Sequence, residues 1–202
     1  GHPLIPQAER VRNDFRVESL GDVALITGSN MAGKSSFLRT VGVNLALAYA
    51  GGPVLARRLQ AIPFRLFSSI RLTDSVIDGF SFFYAEVRRL RQLLDELERE
   101  DDLPLLFLID EIFRGTNNRE RLIGSRAYVR RLAGQNGVGF IATHDLELVQ
   151  LADEHEQIAN FHFRDAVADG RMTFDYTLRP GPCPTTNALE IMRLAGLPVE
   201  NN

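Results

Sequence analysis

The residues Gly28-Ser29-Asn30-Met31-Ala32-Gly33-Lys34-Ser35 place a glycine, four intervening residues and then Gly-Lys-Ser in a row. That is the spacing of a loop that wraps a phosphate chain. The chemistry explains the residue types. Successive backbone N–H groups must turn inward onto phosphate oxygens, and glycine accepts the torsions this requires. A helix expected to begin near Ser35 adds its positive dipole end. On this reading Gly28, Ser29, Asn30, Met31, Ala32, Gly33, Lys34, Ser35 and Ser36 cradle ATP. Lys34 bridges the β- and γ-phosphates, and the Ser35 hydroxyl ligates Mg²⁺. A glycine-rich turn with an incidental lysine is the alternative. The apolar strand Ala24-Leu25-Ile26-Thr27 running in, and the apolar helix running out, favour phosphate binding.

An acidic pair, Asp110-Glu111, closes the apolar run Leu105 to Ile109. Acids at the carboxyl end of a buried parallel strand lie where α/β sheets bind ligands. Asp110 suits Mg²⁺ held through its water shell. Glu111 suits the orientation and deprotonation of an attacking water. A strand end that merely turns polar at the surface would look the same without the phosphate loop. A second apolar run, Val138 to Thr143, ends in His144-Asp145. His144 could hydrogen-bond the γ-phosphate and report its loss, or it could be a capping or packing histidine. His2, His155 and His162 have no comparable setting.

These residues need elements to hold them, and the chain alternates strand and helix as a layered α/β fold does. Strands are expected at Phe15 to Ser19, Val23 to Thr27, Leu66 to Leu72, Leu105 to Ile109 and Val138 to Thr143. Helices are expected at Ser35 to Ala50, before the Gly51-Gly52-Pro53 breaker, and at Phe82 to Glu100. In the latter, Val87, Leu90, Leu93, Leu94 and Leu97 form one apolar stripe. Asn118 is the expected cap of a helix from Arg119 to about Ala133, and Asp145 to Ala152 a short helix. Phe161 to Arg164 and Arg171 to Leu178 read as a hairpin around Asp169-Gly170. A last helix ends near Gly196. The sum is a central, mostly parallel sheet flanked by helices, in a single domain over residues 1–202.

Composition sets bounds. The 202 residues are 45% hydrophobic and 24% charged, an ordinary globular balance. The net charge of −3 argues against a strong DNA-gripping face in this chain. Val41 to Ala56, the longest apolar stretch, is interrupted by Gly51, Gly52 and Pro53, so no membrane contact is expected. Cys183 stands alone and fits a reducing, cytoplasmic setting.

The residues taken together resemble the MutS family ATPase domain over nearly the whole chain. Asn30-Met31 sits between the loop glycines, Asp110-Glu111 precedes Arg114-Gly115-Thr116, and Ala142-Thr143-His144 follows. The lead-in His2-Pro3 and Asn13-Asp14, and the close Leu194-Ala195-Gly196-Leu197-Pro198, are similar too. The resemblance implies a P-loop NTPase fold of the ABC-ATPase type, cut from a longer protein. It implies a Mg-dependent ATPase working as a homodimer with composite sites and reaching DNA through other domains. Ser81, heading Ser81-Phe82-Phe83 with Glu86 beyond, would then meet the partner's γ-phosphate, although Phe82 stands where the family usually has threonine. Plain N-capping of the following helix is the alternative role for Ser81, and the two are not exclusive. Arg114 to Asn117 would line the dimer seam. A nucleotide-holding switch with little turnover, or another ABC- or SMC-type ATPase, are the alternatives.

Overall fold

A computed structural model of the chain describes residues 1–70, 82–99, 103–168 and 171–184, with the single positions 193 and 198. The elements run β1 (Val23–Thr27), α1 (Lys34–Tyr49), β2 (Arg65–Ser69), α2 (Phe82–Glu98), β3 (Leu105–Asp110) and α3 (Asn118–Leu132). β4 (Gly137–Ala142), a 3-10 turn (Leu146–Gln150), α4 (Leu151–Glu154), β5 (Ile158–Ala168) and β6 (Arg171–Pro180) follow. The strands form a six-stranded sheet in the order β2-β3-β4-β1-β5-β6. All neighbours are parallel except β5 and β6, which form the expected hairpin.

Parallel neighbours need crossovers, and the crossover helices cover both sheet faces. This is why β3 and β4 read as unbroken apolar runs: every residue in both is buried. On β3, Leu105, Phe107 and Ile109 point to one face, against Leu90, Leu93 and Leu97 of α2 and Val129 and Leu132 of α3. Leu106 and Leu108 point to the other, against Phe37, Leu38 and Leu45 of α1. The mixed α/β sheet flanked by helices is as the alternation of elements led one to expect. Among the described residues no helix is long and apolar enough to cross a membrane.

Three expectations are corrected. Phe15 to Ser19 is not a strand. Both edges of β1 are taken, by β4 and β5, so no ladder is open to a neighbouring segment. Phe15 instead packs its ring among Phe37, Phe140 and Phe161, with centroids 4.9–5.8 Å away. The α3 cap is Asn117, not Asn118: its side chain accepts the Glu120 N–H at 3.0 Å while its own backbone is extended. The expected short helix after Asp145 is a 3-10 turn running into α4. Residues 71–72, Ser81, Glu100, the Asp169-Gly170 turn and the final helix lie outside the described residues.

Packing at the centre leaves little slack. Gly139 on β4 faces Phe107 on β3, and a Cβ there would meet ring atoms at 2.1 and 2.2 Å. The Phe107 ring is 1% exposed and has nowhere to retreat. Gly139→Ala should therefore cost about 1–3 kcal/mol by overpacking, read as a lower urea midpoint with an unchanged slope.

Candidate functional site

Three neighbouring strands, β3, β4 and β1, end together at one edge of the sheet, and each delivers a chemically active loop there. Ile26 and Asp110 are both register partners of Ala142. The ladder continues past the strand ends: Glu111 N–H donates to Ala142 O at 2.9 Å, and Thr143 N–H to Ile26 O at 2.9 Å. Residues from far apart in sequence thus gather on rigid supports.

The loop from Gly28 to Gly33 joins β1 to α1. Gly28 (φ 137°), Met31 (φ 70°) and Gly33 (φ 116°) all take left-handed torsions. Those at Gly28 and Gly33 are ones that side chains resist. At Gly28 a Cβ would also strike Phe163 O at 2.6 Å. Lys34, 6% exposed, curls back into the loop and donates to Gly28 O at 2.6 Å and Ser29 O at 2.9 Å. Burial pulls its pKa down, while Glu111 and Asp110 push it back up. The Ser29 hydroxyl is buried and has no hydrogen-bond partner among the described residues. Asn30, Met31 and Ser36 are exposed, Ala32 is buried, and Ser35 is half-buried at the first turn of α1.

Asp110 is buried as the last residue of β3. Glu111 follows in a left-handed torsion (φ 66°), as does Phe113 (φ 56°). Non-glycine residues there cost about 1–3 kcal/mol each, so surrounding contacts must hold them. Glu111 has a partner on each oxygen: His144 Nδ1 lies 3.1 Å from Oε1, and Arg114 Nε 3.1 Å from Oε2. The hydrogen bond to His144 lowers the Glu111 pKa and raises that of His144. Arg114 also donates to Asp110 O and lies 3.6 Å from its Oδ2. Arg121 grips Asp145 with two bonds, 2.9 and 2.7 Å, fixing the turn that carries His144.

Lys34, Asp110, Glu111 and His144 therefore share one locality, while Ser81 lies outside the described residues. Three further residues take part in ways the sequence did not suggest. Arg114 touches both acids of its own chain; its spacing, three and four residues on, was the available signal. Glu86 is buried on α2 and accepts the Arg114 N–H at 3.0 Å. Tyr176, at a left-handed position of β6 (φ 53°), sets its ring near Gly33, where a Cβ would lie 3.3 Å from Cδ1. Asn13 bridges this bulge, donating to Tyr176 O at 2.9 Å and accepting from Leu178 N–H at 2.7 Å.

Among the described residues no three His, Cys, Asp or Glu side chains converge as a metal cage. An ion held here would take most of its ligands from water and phosphate, which is the habit of Mg²⁺. The unpartnered Ser29 hydroxyl and the glycine-lined turn suit a polyanion carrying its own acceptors.

Comparison with known proteins agrees on one family. Residues 24–201 match the family model described as MutS domain V. The chain is 34% identical to a DNA mismatch repair protein MutS of Natronomonas pharaonis over 98% of its own length and 23% of that protein's. It is 33% identical to DNA mismatch repair protein MutS 2 of Halobacterium salinarum, again over 98% of the chain and 23% of the relative. For a DNA mismatch repair protein MutS of Aquifex pyrophilus the identity is 31%, with the same coverage. The chain spans about a quarter of the length of these relatives.

Proposed function

The chain belongs to the MutS family, as its domain V, and on that footing we propose that it binds ATP with Mg²⁺ and hydrolyses it. The fold is then that of a P-loop NTPase of the ABC type. One observation carries the proposal: a buried lysine in the glycine-turned loop after β1 interacts electrostatically with the carboxylate pair that ends β3, with only β4 between the two strands. Loop N–H groups and Lys34 would neutralise the phosphates in place of water. Ser35 and Asp110 would hold Mg²⁺, which supplies charge neutralisation at the phosphates. Glu111 would accept the proton of the attacking water, and His144 would keep that carboxylate aimed. Tyr176, beside Gly33, flanks the space where the rest of the nucleotide would extend.

By the same family reasoning, two copies close on ATP as a homodimer with composite sites, Ser81 entering from the partner. Domains beyond this chain pass the motion to DNA, in mismatch repair or a related DNA transaction in the cytoplasm. A nucleotide switch with little turnover is the second reading. It is favoured by one observation, that both Glu111 oxygens are already engaged.

Phosphate release and calorimetry separate these. We expect ATP uptake with Mg²⁺ present, and turnover that falls to the uncatalysed background on chelation. Tight uptake without cleavage in a single turnover would favour the switch. No uptake at millimolar nucleotide would end both readings.

A further inference from the structure

The apolar stripe of α2 runs through Leu90, Leu93 and Leu97, and one turn before Leu90 it is continued by a carboxylate. Glu86 is 3% exposed, as buried as the leucines behind it. A carboxylate in such a place needs donors to compensate for lost water. The donors are peptide N–H groups of the loop after β3: Arg114 at 3.0 Å to Oε2, with Phe113 N–H also bonded to the carboxylate. The bond crosses 28 residues of sequence.

Other contacts make this junction tight. Gly115 lies so close under α2 that a Cβ there would sit 2.7 Å from Phe83 Cβ. The Phe83 and Phe113 rings meet at a tilt of 54°, their centroids 6.3 Å apart. The segment being held contains two left-handed non-glycine residues, Glu111 and Phe113. Arg114, whose N–H takes the Glu86 bond, also sets its guanidinium on the Glu111 carboxylate.

We propose that Glu86 is a positioning residue for Glu111, tying the first turn of α2 to the Arg114 peptide and so fixing where Arg114 and Glu111 stand. This rests on the hydrolytic reading of the site. A displacement of the α2 start would be passed through one bond to the water-activating carboxylate. Nucleotide affinity, set by the loop and Lys34 on the far side of β4, would not sense it.

The test compares Glu86→Ala and Glu86→Gln in the full-length protein, measuring kcat, KM and the Kd of a fluorescent ATP analogue. Glu86→Ala should lower kcat about 10- to 30-fold, as misplaced catalytic groups do, with KM and Kd within about twofold. Glu86→Gln keeps one acceptor oxygen at the same reach and should restore kcat to within about threefold of wild type. An unchanged kcat in folded Glu86→Ala overturns the inference, as does a matching rise in Kd. Should Glu86→Ala not fold, Glu86→Asp decides: its carboxylate stops one methylene short of the Arg114 N–H, so a kcat equal to wild type overturns the proposal. Wild-type turnover indifferent to Glu86 sinks the inference alone. Absence of wild-type turnover sinks it together with the hydrolytic reading.

Discussion

Glu111→Gln should leave ATP bound and nearly halt its cleavage. Glutamine has the same size and reach, so the loop keeps its shape, and the Glu111 N–H still donates to Ala142 O. What is lost is a proton acceptor and a negative charge. General-base catalysis contributes about 10²–10⁴ in rate, and kcat should fall within that range. Affinity for ATP should hold or rise slightly, because an anion near the γ-phosphate has been removed. ATP-bound dimers should therefore accumulate, visible as a larger species in size-exclusion chromatography. A kcat within threefold of wild type would show that Glu111 is not the base.

The same variant has a second readout that does not depend on activity. His144 has its pKa raised chiefly by its hydrogen bond to Glu111. With a neutral amide there, the imidazolium loses its nearer counter-charge and keeps only Asp145 at 3.7 Å, while burial and Arg121 still oppose protonation. The His144 pKa should fall in nucleotide-free Glu111→Gln, followed by NMR titration. A value unmoved from wild type would mean that the 3.1 Å pair does not form in solution.

Much of this site was legible because its demands are local. A loop that turns through left-handed torsions at Gly28 and Gly33 asks for glycine, and β3 and β4, covered on both faces, must be apolar throughout. What escaped was decided at a distance. Phe15 to Ser19 reads as a strand on its own residues, yet strandhood needs a free edge, and β4 and β5 occupy both edges of β1. Asn117 and Asn118 are equally good caps by type, and only the turn of the chain selects between them. Arg114 reaches back to Asp110 and Glu111 because Glu111 and Phe113 adopt left-handed torsions, which no rule of residue type foretells for glutamate or phenylalanine. Glu86 was visible only as the glutamate that follows Ser81-Phe82-Phe83. Its partner lies in a different loop and needed coordinates to find.

Lys34→Ala should weaken ATP binding by about 100- to 1,000-fold, the loss expected from two charge-assisted contacts at about 1.5–3 kcal/mol each, partly regained from water. The side chain is well placed for such an effect. It is almost wholly buried, and Gly28 O and Ser29 O hold it ready inside the loop. Those carbonyls can be satisfied by water in the variant, and removing a desolvated ammonium offsets part of any strain. The thermal midpoint should therefore change little. A lysine spanning two phosphates also predicts an order among ligands: ATP should lose most, ADP less and AMP almost nothing, measured by calorimetry with Mg²⁺ present. Equal losses for all three would point to a collapsed loop, not a missing charge. Lys34→Arg should not restore binding. Its branched guanidinium is bulkier than the ammonium that Gly28 O and Ser29 O hold inside the loop, and a fork cannot replace a point charge there.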